Sequence, residues 1–153
     1  YLLCQLECFY ASARKRIKSE RKLYTYDNGF FSSKKVSVTA DWGRLLENMV
    51  FQELVRRGYR PNLSLFYYQT AGGHEVDFVL RDDHVTAGLI QVCYDLSDPS
   101  TRERELRSLK TAALDLRLKR ADIITYGQKE RHELDGVSVH VTPIAEWCGL
   151  KTV

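Results

Sequence analysis

The segment GGHEVDFVLRDDHVTAGLIQVCYDL, residues 72–96, contains two short apolar strands joined by a charged turn. The turn is short enough for an antiparallel hairpin. Side chains alternate along a strand, so the first strand carries Glu75 and Asp77 together on one face. Its opposite, core-facing positions are Val76, Phe78 and Leu80. Two acids side by side on a core strand indicate a polar site in addition to a structural role.

Outward from the hairpin, hydrophobic periodicity and turn residues predict the remaining elements. In chain order they are a helix over 1–12, a strand within 22–31 ending in a turn at 27–29, a helix over 41–58, strands over 64–70, 75–80 and 87–94, a helix over 98–118, strands over 121–126 and 137–141, and a short helix around 143–147. Two strands of one sheet that are connected by a helix usually run parallel, with a right-handed crossover. We therefore expect the strand 121–126 to run parallel to 88–94. The order is α-β-β-β-α-β, with a mixed sheet flanked by helices.

The composition predicts one ordinary globular domain spanning 1–153, with 44% hydrophobic and 28% charged residues. The net charge of +3 is too small to identify a polyanionic partner by itself. The sequence contains no signal peptide, no apolar span of membrane length and no paired cysteine framework, so we expect a reduced, cytoplasmic protein without membrane contact. Because it begins at Tyr1 inside an amphipathic segment, we also expect a fragment of a longer polypeptide.

The hairpin and the helix over 41–58 place polar groups near each other. If the hairpin strands pair, Asp77 meets Gln91 and Cys93, whereas Ile90, Val92 and Tyr94 take the other face. Helical periodicity puts Glu47 at the margin of the apolar face of 41–58 and Glu53 within it. The ordinary explanation is that each acid bonds a neighbouring arginine or a backbone amide. The alternative is that Glu47, Asp77 and Gln91 offer hard oxygen ligands to Mg²⁺ or Mn²⁺.

The order of elements and acids resembles the core of PD-(D/E)XK nucleases, the restriction-endonuclease-like fold. More closely, the sequence is similar to the C-terminal domain of prokaryotic AAA+-type ATPases of uncharacterised function, over about residues 24–147. The similar segments are GRLLENMVFQEL (43–54), HEVDFVL (74–80), LIQVCYDLSDPSTREREL (89–106), ADIITY (121–126) and TPIAEW (142–147). The resemblance implies an upstream P-loop ATPase module in the same polypeptide. The P-loop pattern G-x-x-x-x-G-K-S/T is absent from these 153 residues, so no ATP site of that type is expected here.

The resemblance assigns Glu47 to the helix acid, Asp77 to the central metal ligand, Gln91 to the second acid and Cys93 to the lysine. The last two depart from the active pattern. A unit charge about 4 Å from a reacting phosphate contributes roughly 4 kcal/mol at an effective dielectric of 20, or roughly a thousandfold in rate. The motif is therefore degenerate. Glu75 is an additional candidate ligand, and the candidate replacement cations are Arg102, Arg104 and Arg107.

Three outcomes for these positions stay open: an active Mg²⁺-dependent nuclease, a metal site without turnover, and a hydrogen-bonded cluster that fixes the register between helix and hairpin. Cys4 and Cys8, with His132 or His140, are a weak zinc alternative. The run 14–22 is either a phosphate-contacting arm, whose binding would depend steeply on salt, or a solvated loop. Its basic residues are Arg14, Lys15, Arg16, Lys18, Arg21 and Lys22.

These observations predict an accessory ATPase domain that binds nucleic acid, either DNA or RNA, or a protein partner without cleaving it. The first alternative is a Mg²⁺-dependent nuclease that hydrolyses phosphodiester bonds with Glu47, Asp77 and Gln91. The second is a protein-interaction or assembly domain. Its candidate surface anchors are Phe30, Phe31, Trp42 and Trp147.

Overall fold

A computed structural model describes residues 2–10, 19–27, 41–83 and 85–150. In these ranges the strands are β1 (Leu3–Glu7), β2 (Arg21–Thr25), β3 (Leu65–Gln69), β4 (Glu75–Asp82), β5 (Val85–Val92), β6 (Arg120–Thr125), β7 (Glu130–Leu134) and β8 (Val137–Pro143). The helices are α1 (Asp41–Arg56), α2 (Pro99–Asp115) and α3 (Ile144–Trp147). Across the same ranges, no helix combines the length and the hydrophobicity that crossing a membrane requires.

The main sheet has the strand order β3-β4-β5-β6-β8-β7. Strands β3, β4 and β5 are antiparallel neighbours, and β5, β6 and β8 run parallel to one another. Strand β7 pairs antiparallel with β8 and forms one edge of the sheet. The predicted parallel pairing of β5 with β6 through the α2 crossover is confirmed. So is the predicted fold class, an α/β fold with a mixed sheet flanked by helices.

The predicted helix over 1–12 is wrong, because this segment contains strand β1, which pairs antiparallel with β2. Its buried side chains recur every two residues, at Cys4, Leu6 and Cys8, and this is the period of a strand. A bridge between Cys8 and Tyr67 joins β1 to the edge of β3. The helical spacing of the leucines therefore does not determine the structure of this segment, because pairing with β2 stabilises a strand.

Strand β7 was not predicted, because its sequence ERHEL has no apolar alternation. It lies at the edge of the sheet, where one row of backbone groups is unpaired. Charged side chains are usual on such a strand, since they discourage pairing with another chain. The strand forms because β8 follows it directly through the two-residue turn Asp135-Gly136, whose positive φ angles are those of a tight hairpin. This Asp-Gly pair is a local hairpin signal that the apolar pattern alone misses.

The two faces of the sheet carry separate cores. The α1-side core, between the sheet, α1 and the β1–β2 hairpin, includes Leu6, Tyr24, Phe51, Phe78 and Ile90. The α2-side core, between the sheet and α2, includes Val76, Val79, Leu89, Leu109 and Ile123. Val92 and Tyr94 also pack on the α1 side, so the predicted shared face of Ile90, Val92 and Tyr94 is confirmed.

A bulge in β4 breaks the alternation on which the sequence argument relied. The register pairs Phe66 with Val79 and then Tyr68 with Val76, so two steps along β3 correspond to three along β4. Val76 and Val79 consequently both face the α2-side core. Phe78 faces the α1-side core, so the expectation that Val76 shares its face is wrong. Bulges of this kind re-aim a side chain next to a site.

Replacing Phe51 by alanine is expected to lower the free energy of unfolding by about 3–5 kcal/mol, since a fully buried aromatic side chain is lost and a cavity remains. Phe51 also stacks on Tyr24, with ring centroids 4.6 Å apart, so the hairpin loses its contact with α1. Chemical denaturation measures the change. The control V85A, at a position 68% exposed, should stay within about 0.5 kcal/mol of the wild type. Equal effects of the two substitutions would contradict the described core.

Candidate functional site

Lys22 of β2 lies at the centre of a group of carboxylates. Its Nζ donates to Asp77 Oδ1 at 2.7 Å and to Glu47 Oε1 at 3.2 Å. Glu75 Oε2 lies 3.5 Å from the same nitrogen. These four residues, from β2, α1 and β4, are called the Lys22 cluster below. The structure thus brings Glu47, Glu75 and Asp77 together, and it adds a cation that the sequence argument placed in a surface run.

The β1–β2 hairpin is held on α1 by polar contacts next to the Lys22 cluster. Asn48 Oδ1 accepts a hydrogen bond from the Thr25 backbone N–H at 2.8 Å, and Asn48 Nδ2 donates to the Thr25 carbonyl at 3.0 Å. The hydroxyl of Tyr24 donates to Glu47 Oε1 at 2.6 Å. Because Lys22 and Tyr24 are two residues apart on one strand, they share a face, and both reach Glu47.

Asp77 is buried and has two kinds of partner. Its Oδ1 accepts from Lys22, and its Oδ2 accepts from the backbone N–H of Val92 at 2.8 Å. The bulge in β4 lets this side chain reach the α1 side next to Phe78. The carboxylate therefore links the hairpin, β4 and the end of β5.

Gln91 bonds only the backbone of Asp77, and its side chain lies on the α2 side of the sheet, so the predicted meeting of the two side chains on one face is wrong. Its Oε1 accepts from the Asp77 backbone N–H at 3.2 Å. Its Nε2 donates to Glu105 Oε2 of α2 at 2.8 Å. The amide thus belongs to a second buried group on the α2 side of the sheet. Glu47 and Asp77 share the Lys22 ammonium, whereas Gln91 bonds Glu105, so the three side-chain oxygens do not converge on one point.

Cys93, at the position that the resemblance assigns to lysine, donates its thiol hydrogen to the Asp95 carbonyl at 3.3 Å. Burial, followed by the charge of Glu105, raises the pKa of Cys93 to about 11. The side chain is therefore a neutral thiol at physiological pH and supplies no cation.

The three arginines of α2 that sequence reasoning offered as replacement cations are engaged elsewhere. Arg102 donates to the Leu96 carbonyl and to Glu130, Arg104 to Glu105, and Arg107 to Glu103. The cation beside Asp77 comes from Lys22 instead. A signal for this existed in the sequence, since Lys22 lies two residues before the apolar Tyr24 on a predicted strand, but the surrounding basic run concealed it.

The basic run 14–22 lies only partly in the described ranges. Arg14, Lys15, Arg16 and Lys18 lie outside the described residues. Arg21 donates to Gln5 Oε1 at 2.9 Å and pairs with Glu7, while Lys22 belongs to the cluster. The two described basic residues of the run thus donate to acceptors within the fold, which leaves fewer of their N–H groups to bind phosphates.

The pKa values in the Lys22 cluster reflect burial opposed by ion pairing. Burial, and next the charge of Glu47, raises the pKa of Asp77 from its ordinary value of 3.8 to about 7, although Lys22 opposes the rise. Burial lowers the pKa of Lys22, but the charges of Asp77, Glu47 and Glu75 outweigh it and raise the pKa above the ordinary 10.5. Lys22 is therefore a permanent ammonium ion.

The Lys22 cluster does not fit the Mg²⁺ ion that the nuclease resemblance implies. Mg²⁺ requires near-octahedral oxygen ligands at about 2.0–2.1 Å. Here the ammonium of Lys22 already binds oxygens of Glu47 and Asp77. The Gln91 oxygen is used by a backbone N–H. Within the described ranges, no group of three or more His, Cys, Asp or Glu side chains has metal-binding geometry.

The remaining sequence candidates resolve in different ways. Cys4 lies on strand β1 and Cys8 directly after it, and both face the core, so the helix turn that would have placed them together for zinc does not exist. Glu53 bonds Arg56 and Arg57, as its ordinary explanation predicted. Trp42 is exposed, whereas Trp147 packs against the core beneath the Arg57 guanidinium, 4.0 Å from its ring centre. Phe30 and Phe31 lie outside the described residues.

Comparison with known proteins identifies one family. Residues 42–147 match the family described as Domain of unknown function (DUF4143). A protein of Methanocaldococcus jannaschii that is described as uncharacterized is 35% identical over 153 residues, which cover 96% of this chain and 33% of that protein. The chain thus spans about a third of the length of this relative.

Among solved structures, a chain of the assembly of Thermococcus gammatolerans McrB AAA+ hexamers with bound McrC resembles 67% of this chain. The similarity covers 28% of that chain, with 10% sequence identity and a TM-score of 0.44. A likeness this distant carries no argument about function.

Replacing Lys22 by methionine is expected to lower the free energy of unfolding at pH 8 by about 3 kcal/mol, because the buried Asp77 carboxylate loses its counter-ion. This is the lower end of the range for buried pairs, since the Lys22 side chain keeps 21% of its exposure. Denaturation curves at pH 5 and pH 8 measure the change. K110M, which removes a surface pair with Asp135, is the control and should cost less than about 1 kcal/mol.

The same variant should show a defined pH dependence. A carboxyl whose pKa is raised by folding favours the folded state at low pH and loses that contribution as the pH rises through the raised value. Loss of Lys22 raises the pKa of Asp77 further, so the deficit of K22M should grow between pH 5 and pH 8. A deficit that is constant with pH would show that Asp77 does not depend on Lys22.

Proposed function

We propose that this chain, which belongs to the DUF4143 family, is a non-cleaving accessory domain of an AAA+-type ATPase. One observation carries the non-cleaving part of the proposal: the ammonium of Lys22 lies among Glu47, Glu75 and Asp77, at the position where a nuclease of the resembled type would hold its metal ion. A tethered ammonium occupies this position but provides no open coordination position for water.

The neighbouring groups support the same interpretation. Metal-dependent hydrolysis requires an ion that lowers the pKa of a bound water and stabilises charge on the phosphate. Gln91 turns its amide to Asp77 and Glu105, and Cys93 stays a neutral thiol. The acids therefore act as acceptors that fix the β1–β2 hairpin on the sheet. A buried polar group that is fully bonded specifies one packing arrangement, and within the described ranges no buried side-chain polar atom lacks a partner.

The association with an ATPase rests on the sequence resemblance and on chain length. The similar segments run from about residue 24 to residue 147, and the family match over 42–147 falls inside this range. The M. jannaschii relative is about three times as long as the part that this chain covers. We place the ATP-binding module in the remaining two thirds of such a polypeptide. The domain described here would then bind a partner of the ATPase, a protein or a nucleic acid.

Between these two partners, the described residues favour a protein. A nucleic-acid site needs several basic side chains free to contact phosphates. Arg21 and Lys22, which the sequence nominated for this role, are paired inside the fold. The Lys22 cluster also places three carboxylates against one ammonium, which repels a phosphate chain.

Wild-type protein incubated with Mg²⁺ or Mn²⁺ and with fluorescent single- and double-stranded DNA and RNA is expected to give no product. Gel electrophoresis measures cleavage, with an established metal-dependent nuclease as the positive control. D77A and wild type should be indistinguishable. Product that forms with the wild type and disappears in D77A would contradict the proposal and favour a nuclease that uses Glu47 and Asp77.

In the M. jannaschii relative, ATP binding is expected to persist when the region matching this chain is deleted, because we place the nucleotide site outside it. Binding of a fluorescent ATP analogue to the full-length and shortened proteins measures this. If the full-length relative binds no ATP, the ATPase association is wrong, while the non-cleaving interpretation of the Lys22 cluster is unaffected.

A further inference from the structure

Three aromatic side chains form a row at one end of the sheet. The rings of Trp42 and Tyr94 are 6.2 Å apart between centroids, with an interplanar angle of 33°. Tyr94 stacks on Tyr126 at 5.1 Å and 21°. Trp42 is 53% exposed and Tyr126 is 64% exposed, while Tyr94 between them is half-buried. The three residues are called the aromatic row below.

The sheet determines where the aromatic row lies. Tyr94 and Tyr126 follow the parallel strands β5 and β6, and the backbone N–H of Tyr126 donates to the Tyr94 carbonyl at 3.2 Å. Tyr94 packs against the α1-side core and so fixes the middle ring. Carboxyl ends of neighbouring parallel strands are a usual place for ligands in α/β sheets. The two outer rings are exposed and contribute little to the core. Exposed aromatic rings are enriched where proteins bind partners.

A concavity of about 190 Å³ adjoins the row and carries negative charge. It is lined by Tyr94, Asp95, Tyr126, Gly127 and Gln128, and none of these described lining residues is basic. Hydrogen bonds from Ser97, and then from Gln128, lower the pKa of Asp95, so its exposed carboxylate is ionised at neutral pH. Two aromatic faces and one carboxylate thus share a small open volume.

We infer that the aromatic row and Asp95 bind an arginine side chain of a protein partner. A guanidinium ion is planar, so it stacks on an aromatic ring while its N–H groups donate to a carboxylate. The same molecule shows this mode internally, where the Arg57 guanidinium lies over Trp147 and bonds Glu53. Lysine fits less well, because its ammonium is a compact point charge that does not stack.

A nucleic-acid strand is the competing occupant, because bases also stack on exposed aromatic rings. The charge beside the row argues against it. Asp95 lines the concavity, and its exposed carboxylate is ionised at neutral pH. This negative charge repels phosphates and attracts a guanidinium. The row shares no residue with the Lys22 cluster, so the two sites can be tested separately.

The probe is a fluorescent peptide of alternating arginine and glycine, with a citrulline peptide as its neutral isostere, and anisotropy measures binding. The arginine peptide is expected to bind more tightly than the citrulline peptide. Y126A and D95N should each weaken arginine-peptide binding about two- to fivefold, the factor of one exposed cation–π or ion-pair contact. Y126F, which keeps the ring, and D83N, which removes an exposed acid elsewhere, should bind like the wild type. Circular dichroism verifies that each variant is folded.

Replacing Asp95 distinguishes an arginine ligand from a nucleic-acid ligand, because it changes their affinities in opposite directions. Removing this negative charge weakens the binding of a cationic ligand and strengthens the binding of an anionic one. Oligothymidine that binds more tightly to D95N and is lost in Y126A would identify a nucleic-acid platform and overturn the inference. Arginine-peptide binding that is unchanged in both Y126A and D95N, or matched by the citrulline peptide, would overturn it as well.

Discussion

The ion pairs of Lys22 hold together elements that are far apart in the sequence. One ammonium group, within 3.5 Å of Glu47, Glu75 and Asp77, joins the β1–β2 hairpin to α1 and to β4. Removing charges from water is costly, so such a group is stable only when every partner is present and well bonded. Tyr24 and the backbone of Val92 provide the further bonds that the carboxylates need. The position of the hairpin and the chemistry of the site therefore have a common cause.

The bulge in β4 separates two polar groups that a regular strand would have placed on one face. It turns Asp77 to the α1 side, where Lys22 and Glu47 lie, while Gln91 bonds Glu105 on the α2 side. The sheet thus carries the Lys22 cluster on one face and an amide–carboxylate pair on the other. This division, together with the single charge of the ammonium, distinguishes the domain from the metal-binding pattern that its sequence resembles.

Much of the fold could be predicted from local patterns, and the exceptions are strands β1 and β7. Helices α1 and α2 carry long apolar stripes and clear ends, such as Gly58 with φ of +98° after α1 and the Asp98 cap before α2. Strand β1 was not predicted, because it forms only when the distant strand β2 supplies its hydrogen bonds. Strand β7 was missed because its charged sequence lacks apolar alternation, although the Asp135-Gly136 turn joins it directly to β8. For the site, the sequence nominated Glu47 and Asp77, which the structure brings together through Lys22.

The α/β class and the hairpin at 75–92 with its two acids follow from the sequence alone, because they depend on residue type and on the period of side chains along one element. The folded structure is needed to show which cation meets Asp77, which face Asp77 occupies, and that Trp42, Tyr94 and Tyr126 form a row. These features arise where separate elements meet. Their free energy comes from contacts between residues distant in the chain, on which a local pattern carries no information.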